Sequence, residues 1–301
     1  MDIPDIDTII DMPEAIDAVA RLVLREFDGQ AQNIPKTVAT WPPASSAHAL
    51  GAIDQVDGLV AFKVWINTPQ GAAAILNLFD ITTGSHVVSM EAGALGMYRT
   101  AAIAGLATRV MSDEGADDLA LLGTGRQAFH QVLAVHAVRP LRRLRVWSPT
   151  ENHREAFARR VQDDLGIAAE AASTVEEALA GAPLVTTICR ASEPFVRADM
   201  LAPGAHVNAM GAILPQAAEI DASVLDGADV IAVDNVANAE ANSRELREFV
   251  DGDWSSVVTL GSLLAVGDGS VRGKGFSVFK GMGMGLSDLA VAAIIAKKMS
   301  H

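Results

Sequence analysis

The sequence predicts an α/β fold, a Rossmann-type doubly wound parallel sheet with a smaller α+β part, on three observations. Short apolar runs alternate with helical patterns through the second half of the chain. One such run leads through Gly123-Thr124-Gly125-Arg126-Gln127-Ala128 into a helix, and the first half carries a helix followed by closely spaced β-type runs. Strands that alternate with helices form parallel sheets covered on both faces, whereas consecutive strands pair antiparallel.

Ile16, Val19, Ala20, Val23 and Leu24 recur at helical spacing behind the start signals Asp11 and Pro13, which predicts a first helix within residues 1–30. Between Thr37 and Ser89 the apolar runs 59–66 and 74–79, separated by Gly and Pro, predict a small sheet. Residues 99–112 are rich in Ala and other small residues at helical period, and Arg99 is expected to open that helix. Strands are then expected at 119–122, 144–147, 183–188, 206–210 and 229–234, with helices at 128–138 and 151–163. A last helix, 286–299, follows the glycines of 281–285, ends in Lys297 and Lys298, and is expected to return to the first domain.

With 301 residues, the chain has room for two modest domains or one with an insertion. Half of the residues are hydrophobic and 20% are charged, the balance of a globular protein. The net charge of -14 argues against nucleic acid and anionic membranes as partners. It leaves small anions open, because a helix N-terminus or a few buried cations override the average field locally. The opening Met1-Asp2-Ile3-Pro4-Asp5 has no signal-peptide character, and no apolar run approaches the roughly 20 residues of a membrane span. A single cysteine, Cys189, fits a reducing, cytoplasmic setting.

A strand, then Gly123-x-Gly125-x-x-Ala128, then a helix is the arrangement that lets backbone approach a pyrophosphate at a helix N-terminus. The end of the next strand selects between the nicotinamide dinucleotides, and an acid there favours NAD. Here the segment reads Val146-Trp147-Ser148-Pro149-Thr150-Glu151-Asn152-His153-Arg154, without such an acid. The hydroxyls of Ser148 and Thr150 and the cation of Arg154 favour NADP(H), with NAD(H) still open. The same residues would serve equally to cap a helix starting near Glu151.

The chain resembles the ornithine cyclodeaminase and mu-crystallin family. The likeness runs through Arg99-Thr100-Ala101-Ala102, the 123–128 loop, residues 201–212, Glu219-Ile220-Asp221 and Lys280-Gly281-Met282-Gly283 with Asp288. It implies a substrate-binding and dimerisation domain over 1–105, a Rossmann domain over 106–282, and a C-terminal helix over 283–301 returning to the first. It also implies a homodimer. Family members include ornithine cyclodeaminases holding NAD, alanine dehydrogenases, NAD(P)H-dependent ketimine reductases and ligand-binding proteins.

By that resemblance Lys63 and Arg99 hold the carboxylate of an imino or amino acid, and Lys36 stands where a further family arginine is found. Arginine supplies a bidentate fork that Lys36 lacks. Cofactor contacts are implied at Thr100, Gly123, Thr124, Gly125, Arg126, Gln127, Ser148, Pro149, Thr150, Arg154, Thr187, Cys189, Met210, Gly211 and Gly283. The catalytic aspartate of cyclodeaminases is replaced by Ile213 in Gly211-Ala212-Ile213-Leu214-Pro215. Isoleucine binds no ammonium group and relays no proton, so ornithine deamination is disfavoured and Ile213 is expected on an apolar side of the pocket.

His48, His86, His130, His136, His153, His206 and His301 form no metal-binding spacing, and no metal is expected. Cys189 reads as a loop residue beside the cofactor. Asp229 and Asp234 bracket a strand, and Asp251 and Asp253 flank a glycine, so surface caps and turns are expected there. Glu91, Asp80 and Asp288 remain unplaced. The reading is an NAD(P)H-dependent oxidoreductase that reduces a cyclic ketimine carboxylate, with Lys63 and Arg99 as its catalytic pair. The alternatives are a cyclodeaminase-like lyase, an amino-acid dehydrogenase, and a binding protein of low turnover.

Overall fold

The structure, a computed structural model, describes residues 6–267 and 275–299; the Met1 to Asp5 opening and His301 lie outside them. The strands are β1 (Ala31–Trp41), β2 (Ser45–Asp54), β3 (Leu59–Thr68), β4 (Gly71–Asp80), β5 (His86–Glu91), β6 (Asp118–Leu122), β7 (Arg143–Trp147), β8 (Ala168–Ala171), β9 (Leu184–Thr187), β10 (His206–Ala209), β11 (Ala228–Val233), β12 (Val257–Thr259) and β13 (Phe276–Lys280). The α-helices are α1 (Met12–Phe27), α2 (Gly93–Met111), α3 (Ala128–Val138), α4 (Glu151–Leu165), α5 (Val175–Leu179), α6 (Ala222–Asp226), α7 (Val236–Asn242), α8 (Arg244–Val250), α9 (Leu260–Val266) and α10 (Gly285–Met299). The chain divides into two units, with boundaries between Ile103 and Ala104, inside α2, and between Gly283 and Met284.

In the first unit α1 starts where Asp11 accepts a hydrogen bond from the Glu14 amide at 2.8 Å, and buries the stripe Ala15, Ile16, Val19, Leu22 and Val23. Strands β1 to β5 form an antiparallel meander in sequence order. Side chains alternate across it, so Leu50, Ala52, Ala61, Leu76 and Leu78 are buried. Helix α10 packs on α1 and on β2 and β3. The opposite side of the sheet presents Phe62, Val64, Ile66 and Ile75, each 40–48% exposed.

In the second unit the strand order is β12-β11-β13-β10-β9-β6-β7-β8, with every pairing parallel. Each residue of β6 is buried, the mark of a central parallel strand. Leu119 and Leu121 enter one core with Val132, Val135, Phe157 and Val161 of α3 and α4. Ala120 and Leu122 enter the other, with Leu179, Val224, Leu225 and Leu246 of α5, α6 and α8. One strand thus feeds two cores, which is what doubly wound means in side-chain terms. The order reverses at β6: β7 and β8 lie to one side, β9 and β10 to the other.

Candidate active site

Period-two alternation turns Phe62 and Val64 outward and Lys63 inward, between Leu50 and Leu76 of the flanking strands. Lys63 is 5% exposed, and its ammonium donates to Asp288 Oδ1 at 2.7 Å. Arg99 Nε lies 3.4 Å from the same oxygen, and Asp288 is 1% exposed. Trp65, two residues along β3, has Lys63 Nζ 5.1 Å and Lys36 Nζ 5.5 Å from its ring centre. His48 stacks on the same indole at 4.6 Å. Burial pushes the Lys63 ammonium down to about 8 against the opposing pull of Asp288, and burial followed by the Arg99 charge lowers Lys36.

The structure therefore brings Lys63 and Arg99 together around one carboxylate, with Lys36 beside Lys63 at the Trp65 ring. Arg99 does not open its helix, as the sequence suggested. It lies in the second turn of α2, which begins at Gly93, where Glu91 accepts from the Gly93 amide at 2.7 Å. Two poor helix formers, Gly93 and Gly96, concealed that first turn. Thr100, the next residue, donates to the Gly96 carbonyl at 2.8 Å. Asp288, unplaced by the sequence, is the counter-ion; Glu91 caps α2, and Asp80 accepts from Thr82 and Thr83 in the β4–β5 turn.

In the second unit the expected cofactor residues gather at the carboxyl ends of parallel strands. Gly123 follows β6, Ser148 to Thr150 follow β7, Cys189 comes soon after Thr187 ends β9, Met210 and Gly211 follow β10, and Gly283 lies beyond β13. Gly123 has φ +124°, and a Cβ there would lie 2.7 Å from the Ile188 carbonyl oxygen. Only glycine fits that turn. Ile213 is 42% exposed on the loop after β10.

Two buried carboxylates, Glu219 and Asp234, organise this edge. Glu219 accepts from Thr187 Oγ1 (2.7 Å), Cys189 N (2.5 Å), Gly211 N (2.8 Å) and Ala212 N (3.1 Å), so one side chain ties the loop after β9 to the loop after β10. Burial raises the Glu219 carboxyl, while nearby Lys280 and these donors pull it back. Asp234, expected at the surface, is buried and accepts from Met282 N and Gly283 N at 2.9 and 2.6 Å, fixing the loop after β13. Its place at the end of an internal strand turns it inward. Asp229 lies within β11, not at its edge, and accepts from Gly275 N at 2.7 Å. Burial and the Glu219 charge push the Cys189 thiol up to about 12, the direction opposite to that of an activated nucleophile.

These residues fit a dinucleotide. The strand order reverses at β6, where open sheets place such ligands. A Cβ on Gly125 would meet nothing within 4 Å, so the turn leaves space beside its backbone. Helix α3 begins with no side-chain cap, and Gln127 Oε1 is buried without a hydrogen-bond partner. At the far end of the site β7 closes in Trp147. Ser148 donates to the Thr150 carbonyl at 3.2 Å, and Arg154 donates to the Ser148 carbonyl at 3.2 Å and lies 3.6 Å from Glu151. Thr150 occupies the N-cap position of α4 without making a side-chain cap bond. Among the described residues no group of three or more His, Cys, Asp or Glu side chains has a metal-binding arrangement, and no helix is long and apolar enough to cross a membrane.

A doubly wound sheet of dinucleotide-binding form in one unit, and Lys63 and Arg99 around a buried carboxylate in the other, define a two-unit α/β protein of the dinucleotide-binding class. The chain belongs to the ornithine cyclodeaminase/mu-crystallin family, whose model matches residues 5–301. It is 31% identical to the ketimine reductase mu-crystallin of Mus musculus over 227 residues, 75% of this chain and 69% of that protein. It is 28% identical to the Delta(1)-pyrroline-2-carboxylate reductase of Bacillus thuringiensis subsp. konkukian over 305 residues, covering 96% and 93% of the two chains. In fold it is similar to the Thermococcus litoralis Delta(1)-pyrroline-2-carboxylate reductase in complex with NADH and L-proline, with TM-score 0.92, 22% identity, and coverage of 98% and 95%.

Proposed function

We propose that this protein is an NAD(P)H-dependent reductase of a cyclic ketimine carboxylate, of the pyrroline-2-carboxylate or piperideine-2-carboxylate type, yielding the cyclic amino acid. The observation that carries the reading is the pair Lys63 and Arg99 on the buried Asp288, with Lys36 adding a third positive charge beside them at Trp65. Two buried or half-buried cations share one carboxylate and a third lies close by, and uncompensated charge in such a place calls for an anion. Arg99 offers the carboxylate a fork, Lys63 a point charge, and Lys36 a further charge without a fork. The two reductases among its relatives support the choice of a C=N bond.

A reduced nicotinamide, when bound, supplies the hydride for the imine carbon. The chain's own residues orient and protonate. Gly123 to Gln127 and the N-terminus of α3 hold the pyrophosphate. Ser148, Pro149, Thr150 and Arg154 receive the adenosine end and favour NADP(H), and Thr100, Thr187, Cys189, Met210, Gly211 and Gly283 line the remainder. Lys63 and Arg99 fix the carboxylate, Ile213 supplies an apolar wall, and Lys63 delivers a proton to the nitrogen. Ile213 disfavours the lyase alternative, which needs a carboxylate at that position.

The protein acts as a homodimer in this reading, in which a second copy covers the sheet side where Phe62, Val64, Ile66 and Ile75 are exposed together. A reducing cytoplasm suits its single cysteine. Product analysis by NMR tests the reaction. Pyrroline-2-carboxylate with NADPH is expected to give proline, and ornithine is expected to release no ammonia; ammonia from ornithine without net cofactor oxidation would replace this reading with the lyase.

A further inference from the structure

A lysine almost out of contact with solvent does not keep its proton unaided. The charged and titratable groups around Lys63 come from four elements: Asp288 on α10, Arg99 on α2, Lys36 on β1, and His48 on β2, which stacks on the indole that both lysines approach. Strand β4 sets Leu76 opposite Lys63 and brings no charge there. Of these groups only Asp288 is negative. Burial, Arg99 and Lys36 all act to deprotonate Lys63, and Asp288 alone resists.

We propose that Asp288 is a positioning residue of the reaction, holding Lys63 as an ammonium ion aimed by a 2.7 Å hydrogen bond and so setting the upper pH limit of turnover. The inference rests on the reductase reading. Its geometry stands on three features. The bond joins two side chains with no more than 6% exposure each, so water does not screen it. Asp288 sits in the first turn of α10, where backbone dipoles favour an anion. Its Oδ2 is buried with no hydrogen-bond partner and Arg99 Nε stands at 3.4 Å without a hydrogen bond, so among the described residues Lys63 makes the closest contact with the carboxylate.

The proton balance follows. As hydride adds to the imine carbon with its electron pair, an Nζ–H bond of Lys63 breaks and an N–H bond forms on the substrate nitrogen. Lys63 is left as a neutral amine and recovers its proton from water once the product has left. A reduced nicotinamide, held by the residues of the 123–128 loop, would supply the two electrons that reduce the imine.

Asp288→Asn removes the charge and keeps the shape. The pH dependence of kcat/KM with one imino acid is compared between the parent and this variant, so the ionisation of the imine itself is common to both. The alkaline limb is expected to move down by about one pH unit or more. In parallel, the Lys63 side chain is titrated without substrate by NMR of lysine labelled at the ε-carbon, its signal assigned by loss in Lys63→Met; its midpoint is expected to move the same way. A rate lowered by one factor at every pH, with the Lys63 midpoint unmoved, would overturn the proposal. If Asp288→Asn does not fold, Asp288→Glu decides: with the charge retained, the limb is expected to stay while kcat falls, and a limb that moves as well would overturn it. A shifted midpoint in a protein that reduces no imine would leave the Lys63–Asp288 coupling standing and remove the reductase reading.

Discussion

Lys280 Nζ lies 2.5 Å from Glu245 Oε2, and neither side chain reaches solvent. Glu245 also accepts the amides of Glu219 and Ile220 through its other oxygen, at 2.6 and 3.0 Å. The ion pair on β13 and α8 is thereby coupled to the carboxylate that ties the loops after β9 and β10. Removing one partner of such a pair leaves the other charged, buried and unpaired. Lys280→Met is expected to lower the unfolding free energy by about 3–5 kcal/mol. Lys280→Met with Glu245→Gln is expected to cost less than the sum of the single changes, and urea denaturation of the four proteins checks both. Additive losses would mean the pair is not coupled.

The turn after β6 separates two glycines by their surroundings. Gly123→Ala forces a side chain toward the Ile188 carbonyl at a backbone angle suited to glycine. It is expected to reduce thermal stability by about 1–3 kcal/mol and to weaken NADPH binding with it. Gly125→Ala meets open space, so the melting temperature without nucleotide is expected to stay put while the nucleotide-induced rise shrinks. Differential scanning fluorimetry with and without NADPH reads both.

Arg154 and Ser148 carry the expected preference for the phosphorylated dinucleotide. Arg154→Ala is expected to raise KM for NADPH by about tenfold, the scale of one charged hydrogen bond, with KM for NADH nearly unchanged. Equal losses with both cofactors would assign Arg154 to the stability of the loop after β7.

Much of this arrangement was legible in the sequence, unevenly. The interval 128–138 stands as helix α3, and the runs at 119–122, 144–147 and 206–210 become β6, β7 and β10, because a buried parallel strand reads as a short apolar block. The small sheet expected from Thr37 begins earlier, at Ala31. Its second strand, opening Ser45-Ser46-Ala47-His48-Ala49, contains few of the branched and aromatic residues that announce a strand, and pairing with β1 and β3 supplies what propensity does not.

Sequence separation hid the site's carboxylates. Asp288 meets Lys63 across 225 positions, and Glu219 meets Thr187 across 32, distances over which no periodicity speaks. The family likeness pointed to Lys63, Arg99 and the glycine loop but gave Asp288 and Glu219 no role. Burial of charge on charge is a property of the fold and emerges only with it.

Carboxylate recognition is separable from cofactor binding. Arg99→Ala is expected to lower kcat/KM for the imino acid by about 10- to 100-fold, the loss of a charged, forked contact, while the dissociation constant for NADPH remains within about twofold. Stopped-flow reduction together with fluorescence titration of NADPH distinguishes the two effects.

The central claim is tested most directly by the initial rate of NADPH, and separately NADH, absorbance loss on adding pyrroline-2-carboxylate or piperideine-2-carboxylate, with Lys63→Ala alongside. Oxidation of NADPH in preference to NADH is expected with at least one of these imines, together with its loss in Lys63→Ala. Absence of oxidation with either cofactor, in folded protein that binds nucleotide, would contradict it.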